Sequence, residues 1–174
     1  MNTNIPSPSL SEYPPYYHTY ISKVEGDHLI ASLHQGLDVV LSLIPSITAD
    51  RLEYRYAEGK WTIKEIILHL MDAERIFAYR ALRFSRGDRT GLPGFNEDEY
   101  VPNSAAAERS IDSLLDEYVA LRKSTIEFFK NLSPGMLQRT GIANGQEISV
   151  RALGYIIAGH EMHHLGVMRE RYLS

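Results

Sequence analysis

A chain of 174 residues, 44% hydrophobic and 23% charged, has the length and make-up of one globular domain with a sizeable core. Its net charge of −4 leaves no basic excess to neutralise phosphates, which argues against a nucleic-acid partner. Cysteine is absent, so disulfides, thiolate metal sites and a cysteine nucleophile are excluded, and any metal must be held by nitrogen and oxygen.

The N-terminus lacks a charged region followed by an apolar run, and no apolar stretch is expected to reach the ~18 residues of a membrane span. A soluble, cytoplasmic protein without a membrane partner is the expectation. Residues 1–20 are rich in proline, serine and tyrosine (Pro6, Pro8, Pro14, Pro15; Tyr13, Tyr16, Tyr17, Tyr20). They read as an N-terminal arm whose tyrosines pack on the body, or whose first ten residues stay unstructured. The domain proper is expected over 21–174. From Ile21 to Ile44, apolar residues at helical spacing (Ile21, Val24, Leu29, Leu33, Leu37, Val40, Leu41, Ile44) predict the first amphipathic helix, stopped by Pro45. His28 and His34 lie six apart and read as surface residues.

After a polar connection, Thr62 and Glu65 form a capping-box pattern that starts a second helix running to about Arg86, where Gly87-Asp88 ends it. His69 falls on its apolar face with Ile66, Ala73 and Ile76, so it should point to the core. Residues 87–103 form a long loop, read as the crossover between two parallel helices. Its acidic run Glu97-Asp98-Glu99 reads as a solvated face. A third helix is expected from Ser104 to about Asn131, with a stripe of Ile111, Leu114, Leu115, Tyr118, Leu121, Thr125, Phe128 and Phe129. Asn144-Gly145 signals a hairpin turn. Ser149 then caps a fourth helix from Val150 to about Tyr172, with Leu153, Ile157, His160, His164 and Val167 inward. Four long amphipathic segments with one long connection predict an all-α four-helix bundle with a crossover between helices two and three. The short last connection suggests that helices three and four are antiparallel neighbours.

The chemistry concentrates in Ile157 to Met168, which holds three of the seven histidines. His160 and His164 are four apart, on one helix face, where two imidazoles can converge on one ion. His163 lies about 100° round the helix from His164 and reads as a neighbour or a surface residue. With His69 inward on another helix, the pattern is that of bundle metal sites, and three imidazoles leave coordination positions open for water or substrate. Imidazole suits zinc, nickel, iron or copper, so the ligand type alone does not select the metal. A competing reading is the zinc-protease motif H-E-x-x-H with Glu161 as base. It fits poorly: the extended motif needs glycine and histidine where Val167 and Glu170 stand, and no sheet is expected to form a cleft.

Taken together, Trp61-Thr62-Ile63-Lys64-Glu65, His69-Leu70, Asp72, Glu74-Arg75, Phe77, Tyr79-Arg80, Gly87-Asp88, Phe95, Tyr100 and Gly159-His160-Glu161 with His163-His164 resemble the DinB/YfiT-like superfamily over roughly residues 13–172. The resemblance implies an up-down-down-up bundle and a divalent metal held by His69, His160 and His164. Zinc or nickel lead as candidates, with iron or manganese behind. It also implies a homodimer, and relatives that are S-transferases using low-molecular-weight thiols. Three functions follow as expectations: a metal-dependent transferase with a small thiol as cosubstrate, a hydrolase with Glu161, Glu65 or Asp72 as base, or a non-catalytic metal-binding or stress-response protein. Arg75, Arg80 and Arg83 are candidate substrate contacts, and exposed pairing along the helix is the preferred account of all three.

Overall fold

The computed structural model describes residues 4–26 and 28–173. Among them, four long helices make an up-down-down-up bundle: α1 (Leu29–Leu43), α2 (Ile63–Ser85), α3 (Ile111–Lys130) and α4 (Val150–Arg171). Local chemistry sets most of the helix starts. The Thr62 hydroxyl accepts from the Glu65 amide at 3.2 Å while the Glu65 carboxylate accepts from the Thr62 amide at 2.7 Å, the reciprocal capping box. Ser110 and Ser149 cap α3 and α4.

The first helix is shorter than its apolar period suggested. A single helical turn, His18–Ile21, is followed by an irregular stretch in which Gly26 takes φ 64°, and α1 begins only at Leu29. Periodicity survives such a break because both pieces bury their apolar residues. The third helix likewise starts at Ile111 rather than Ser104, since Ala105 adopts a left-handed φ of 52° and stops any helix there. The stretch Leu29–Ser46 does have the length and mean hydropathy, 1.3, of a membrane span, contrary to expectation. It folds as α1 and its end, with Leu29, Leu33, Leu37 and Val40 in the core.

Packing partners correct a second expectation. α4 lies along α2 and α1, and α3 lies against α1 and α2. Thus α3 and α4 face each other across the diagonal and are not adjacent. The connection between them is long enough for this because it contains a helical turn, Pro134–Leu137, and a hairpin of β1 (Thr140–Ala143) and β2 (Gln146–Ser149). Asn144 and Gly145, at φ 51° and 73°, form its tight turn. The crossover after α2 joins this hairpin: the Leu92 amide donates to Ile142 and the Asn144 amide donates to Leu92, both at 2.9 Å.

The core has two apolar layers, one toward each end of the bundle. One holds Leu29, Leu33, Phe77, Phe84, Phe129 and Leu153, and the other holds Leu37, Val40, Ile67, Leu114, Leu165 and Met168. Between them lies a polar layer. Arg122 of α3, 1% exposed, uses all five N–H groups there. It donates to Glu74 of α2 (2.8–3.1 Å), to Glu161 of α4 (2.7 and 2.9 Å) and to the Leu33 carbonyl of α1 (3.2 Å). Tyr118 also donates to Glu161. Burial would discharge the guanidinium, but Glu161 and Glu74 outweigh it and hold the Arg122 pKa well above the ordinary value. A Cβ on Gly36 would overlap the Glu161 carboxylate, so glycine is what lets α1 close over this cluster. One arginine thereby links all four helices across the diagonal.

Candidate metal centre

Adjacent residues of α4 serve opposite sides of the polar layer. Glu161 turns to the bundle axis, and His160 turns the other way, toward α2 and the N-terminal arm. His69 Nε2 and His164 Nε2 each lie 3.1 Å from His160 Nε2, and one nitrogen from each of the three histidines falls within 4.8 Å of the others. A neutral imidazole nitrogen carries either one proton or one lone pair. His160 Nε2 therefore cannot make a good hydrogen bond to both neighbours at once, and as a hydrogen-bonded core cluster the trio is poorly satisfied. It fits a cation well. Two nitrogens about 2.0–2.1 Å from one ion and 3.1 Å apart subtend about 100°, between octahedral and tetrahedral angles.

Electrostatics favour the same species. Burial lowers the pKa of His69 from 6.5 to about 4, with Asp98 opposing. Burial, then the charges that His69 and His163 would carry, lowers His164 to about 3, and His160 falls well below its usual value for the same reasons. All three are neutral at pH 7, the form that ligates metal. The sign for stability follows. The unfolded chain takes up protons at these positions first, so the metal-free protein is at full strength above about pH 6.5 and weakens as pH falls toward 4. Urea midpoints measured in chelator should drop between about pH 8 and 5, where histidines dominate titration. A flat profile would contradict these environments.

The trio sits in the wall of a cavity of about 430 Å³. Trp61, just before the capping box, lies 4.7 Å from the His69 ring and stacks at 6.4 Å on His164. Tyr20 of the arm meets His160 edge-on at 5.2 Å and His163 at 5.5 Å. Gly159 permits this approach, because a Cβ there would overlap the Tyr20 carbonyl. The arm is fixed further along: Tyr155 donates to the Ile5 carbonyl at 2.7 Å, and Arg151 pairs with Glu12. The crossover and the hairpin turn, through Phe95, Glu97 and Asn144, close the far side.

The structure brings His69, His160 and His164 together and leaves His163 beside them, half-buried against Tyr20 and His164. His28 and His34 are exposed. The carboxylates considered as bases are all engaged elsewhere. Glu161 is held by Arg122, which overturns the protease reading. Glu65 caps α2 and takes both arms of Arg55 at 2.7 Å. Asp72 lies 3.8 Å from Arg75 and is pushed up by burial, outside the cavity. Arg75 and Arg83 do pair with carboxylates, but with Glu117 of α3 and with Asp88 beyond the end of α2 more closely than with residues along the helix, and Arg80 does not conform at all: it is 3% exposed and lines the cavity. Helical arithmetic could have found it, since eleven residues after His69 is about three turns and returns to the same face. Glu97, expected on a solvated face, also lines the cavity. Its place depends on how the crossover folds, which periodicity does not report.

A four-helix bundle with three converging imidazoles on its second and fourth helices, facing a cavity lined by aromatic residues, defines a class of protein built to hold a metal ion. Sequence comparison specifies it further: a family model described as the DinB superfamily matches residues 32–168, and the chain belongs to that superfamily. Among solved structures, it is similar to YfiT from Bacillus subtilis, described as a probable metal-dependent hydrolase with an unusual four-helix bundle topology. The TM-score is 0.64 at 17% identity, covering 98% of this chain and 95% of that one. It is also similar to the DinB-like protein YjoA from Bacillus subtilis, with a TM-score of 0.58 at 19% identity over 81% and 86% of the two chains. No curated protein sequence matches it.

Proposed function

We propose that the protein is a metal-dependent transferase that uses a small thiol as cosubstrate, with a divalent ion, zinc or nickel foremost, held by His69, His160 and His164. One observation carries the reading: the imidazoles face the cavity, while Glu65, Asp72 and Glu161 are all committed outside it. A divalent ion in that position supplies acidity, lowering the pKa of a coordinated thiol so that no protein base is required. The chain has no cysteine, so the sulfur must come from a cosubstrate. The surrounding residues bind and orient. Trp61 and Tyr20 pack on the imidazole rings, and Phe77 and Phe95 give the electrophile an apolar bed.

Hydrolysis is the second reading. Glu97 favours it, as a partly exposed carboxylate on the cavity wall that could take a proton from water, and so does the description of YfiT as a probable metal-dependent hydrolase. The test is turnover of a generic electrophile such as a chlorodinitrobenzene and of a panel of activated esters, with and without small thiols. Thiol-dependent turnover that disappears in His160→Ala supports the transferase. Thiol-independent ester cleavage with the same dependence replaces it by the hydrolase. Bound metal with no turnover in either assay assigns the chain a non-catalytic metal-binding role.

A further inference from the structure

We propose that Arg80 is the anion anchor of the cavity and that the substrate is a small, partly flat molecule carrying a carboxylate. This rests on the reading of the cavity as the substrate site and adds the chemical class of what enters it.

The cavity wall holds a buried charge that no carboxylate of the described residues balances. Among the described residues, Arg55, Arg75, Arg83, Arg109, Arg122 and Arg151 each pair with a carboxylate. Arg80, as deeply buried as any of these but Arg122, has no carboxylate of a described residue within 4.0 Å. Its Nη2 donates to the Pro93 carbonyl at 2.7 Å, its guanidinium carbon lies 5.7 Å from the centre of the Phe77 ring, and it also hydrogen-bonds the Tyr17 hydroxyl. A carbonyl and a phenol satisfy some of the N–H groups but do not neutralise the charge. A buried cation without a counter-ion is costly, and a neutral donor would tie down Pro93 as well. Holding the crossover in place therefore explains one hydrogen bond but leaves the guanidinium itself unexplained. A ligand anion explains it: the planar fork matches a carboxylate with two parallel bonds.

The geometry limits the ligand. Phe77 lies near both Arg80 and the histidine trio, its ring centre 5.7 Å from the Arg80 guanidinium carbon and 6.5 Å from the centre of the His160 ring. A molecule with its carboxylate on Arg80 and a flat middle on Phe77 would place its far end toward the three imidazoles. The cavity, at about 430 Å³, suits a molecule of that size.

Benzoate and its neutral isostere benzamide test the anchor by calorimetry, using the full chain both metal-loaded and after chelation. Benzoate should bind saturably and at least tenfold more tightly than benzamide. Arg80→Gln should remove that preference, Arg80→Lys should keep part of it, and Arg89→Gln, an exposed control, should leave it unchanged. Equal binding of the two probes to the unaltered protein, no saturable benzoate binding, or a preference retained in Arg80→Gln would overturn the proposal. The wild-type comparison decides the matter even if Arg80→Gln fails to fold. Bound metal is scored separately. Unchanged metal in Arg80→Gln isolates a failure of the anchor, whereas a benzoate preference that persists in a chain unable to hold metal keeps the anchor and removes the metal reading.

Discussion

Arg122→Leu should lower the stability of the protein by about 3–5 kcal/mol, among the largest effects of any single substitution in the chain. The reason is an asymmetry. The leucine removes one charge and leaves Glu74 and Glu161, 3% and 1% exposed, in the core without the guanidinium, with Tyr118 as the remaining donor to Glu161. It also cuts the side chain that ties α3 to Glu161 of α4 across the diagonal and to the Leu33 carbonyl of α1, leaving only Tyr118 bonded to Glu161. Urea unfolding should show a large fall in midpoint with little change in slope. Replacing Glu74, Arg122 and Glu161 together by leucine removes all three charges at once, leaving only the neutral Tyr118 hydroxyl without its acceptor, and should cost far less than the single change, since apolar replacement of a whole buried ionic cluster is often neutral or stabilising. A triple variant no more stable than Arg122→Leu would mean that the cluster does more than balance its own charges. Gly36→Ala should act on the same cluster by pushing the Glu161 carboxylate away from Arg122.

The second large effect is metal removal. An ion that binds the three neutral imidazoles of the folded chain, and binds the unfolded chain far less, adds stability by mass action. The gain is about 2.7 kcal/mol when free metal is a hundredfold above its dissociation constant. For a domain of this size that is a melting shift of roughly 5–10 °C between zinc-loaded and chelated protein. The shift should vanish in His69→Ala and His160→Ala. It should hold down to about pH 4 and shrink below that, where protons begin to compete for the His69 nitrogen of the folded chain. Equal melting temperatures with and without chelator, at saturating zinc, would count against a site formed by the fold.

Features that depend on local chemistry were legible in the sequence. The Thr62–Glu65 box, the Asn144-Gly145 turn and the Ser149 cap each work within a few residues, and the structure places them where the pattern did. The convergence of His69 with His160 and His164 was legible as well, because apolar stripes fix which way a helix faces. Other features depend on tertiary arrangement. The gap before α1 turns on the conformation of Gly26, which a period of 3.6 does not detect. The diagonal placement of α3 and α4 depends on a hairpin inserted into what reads as a short connection. Arg122 and Glu74 carry charges that by default belong outside, although Arg122 shares a stripe with Tyr118, Thr125 and Phe129. Arg80 was obscured for the same reason. A charged residue on an apolar face was read as surface pairing, when its position on the face of His69 marked it as part of the cavity.

The central claim is that His69, His160 and His164 form one metal site. The most direct measurement is the metal content and zinc affinity of protein made without a histidine tag, compared with His160→Ala. The expected result is one tightly bound ion per chain in the unaltered protein. In His160→Ala, affinity should fall by at least about 100-fold, beyond the 10–100-fold typical when only a group supporting a ligand is lost. No bound metal in the unaltered protein, or an affinity unchanged in His160→Ala, would contradict the claim.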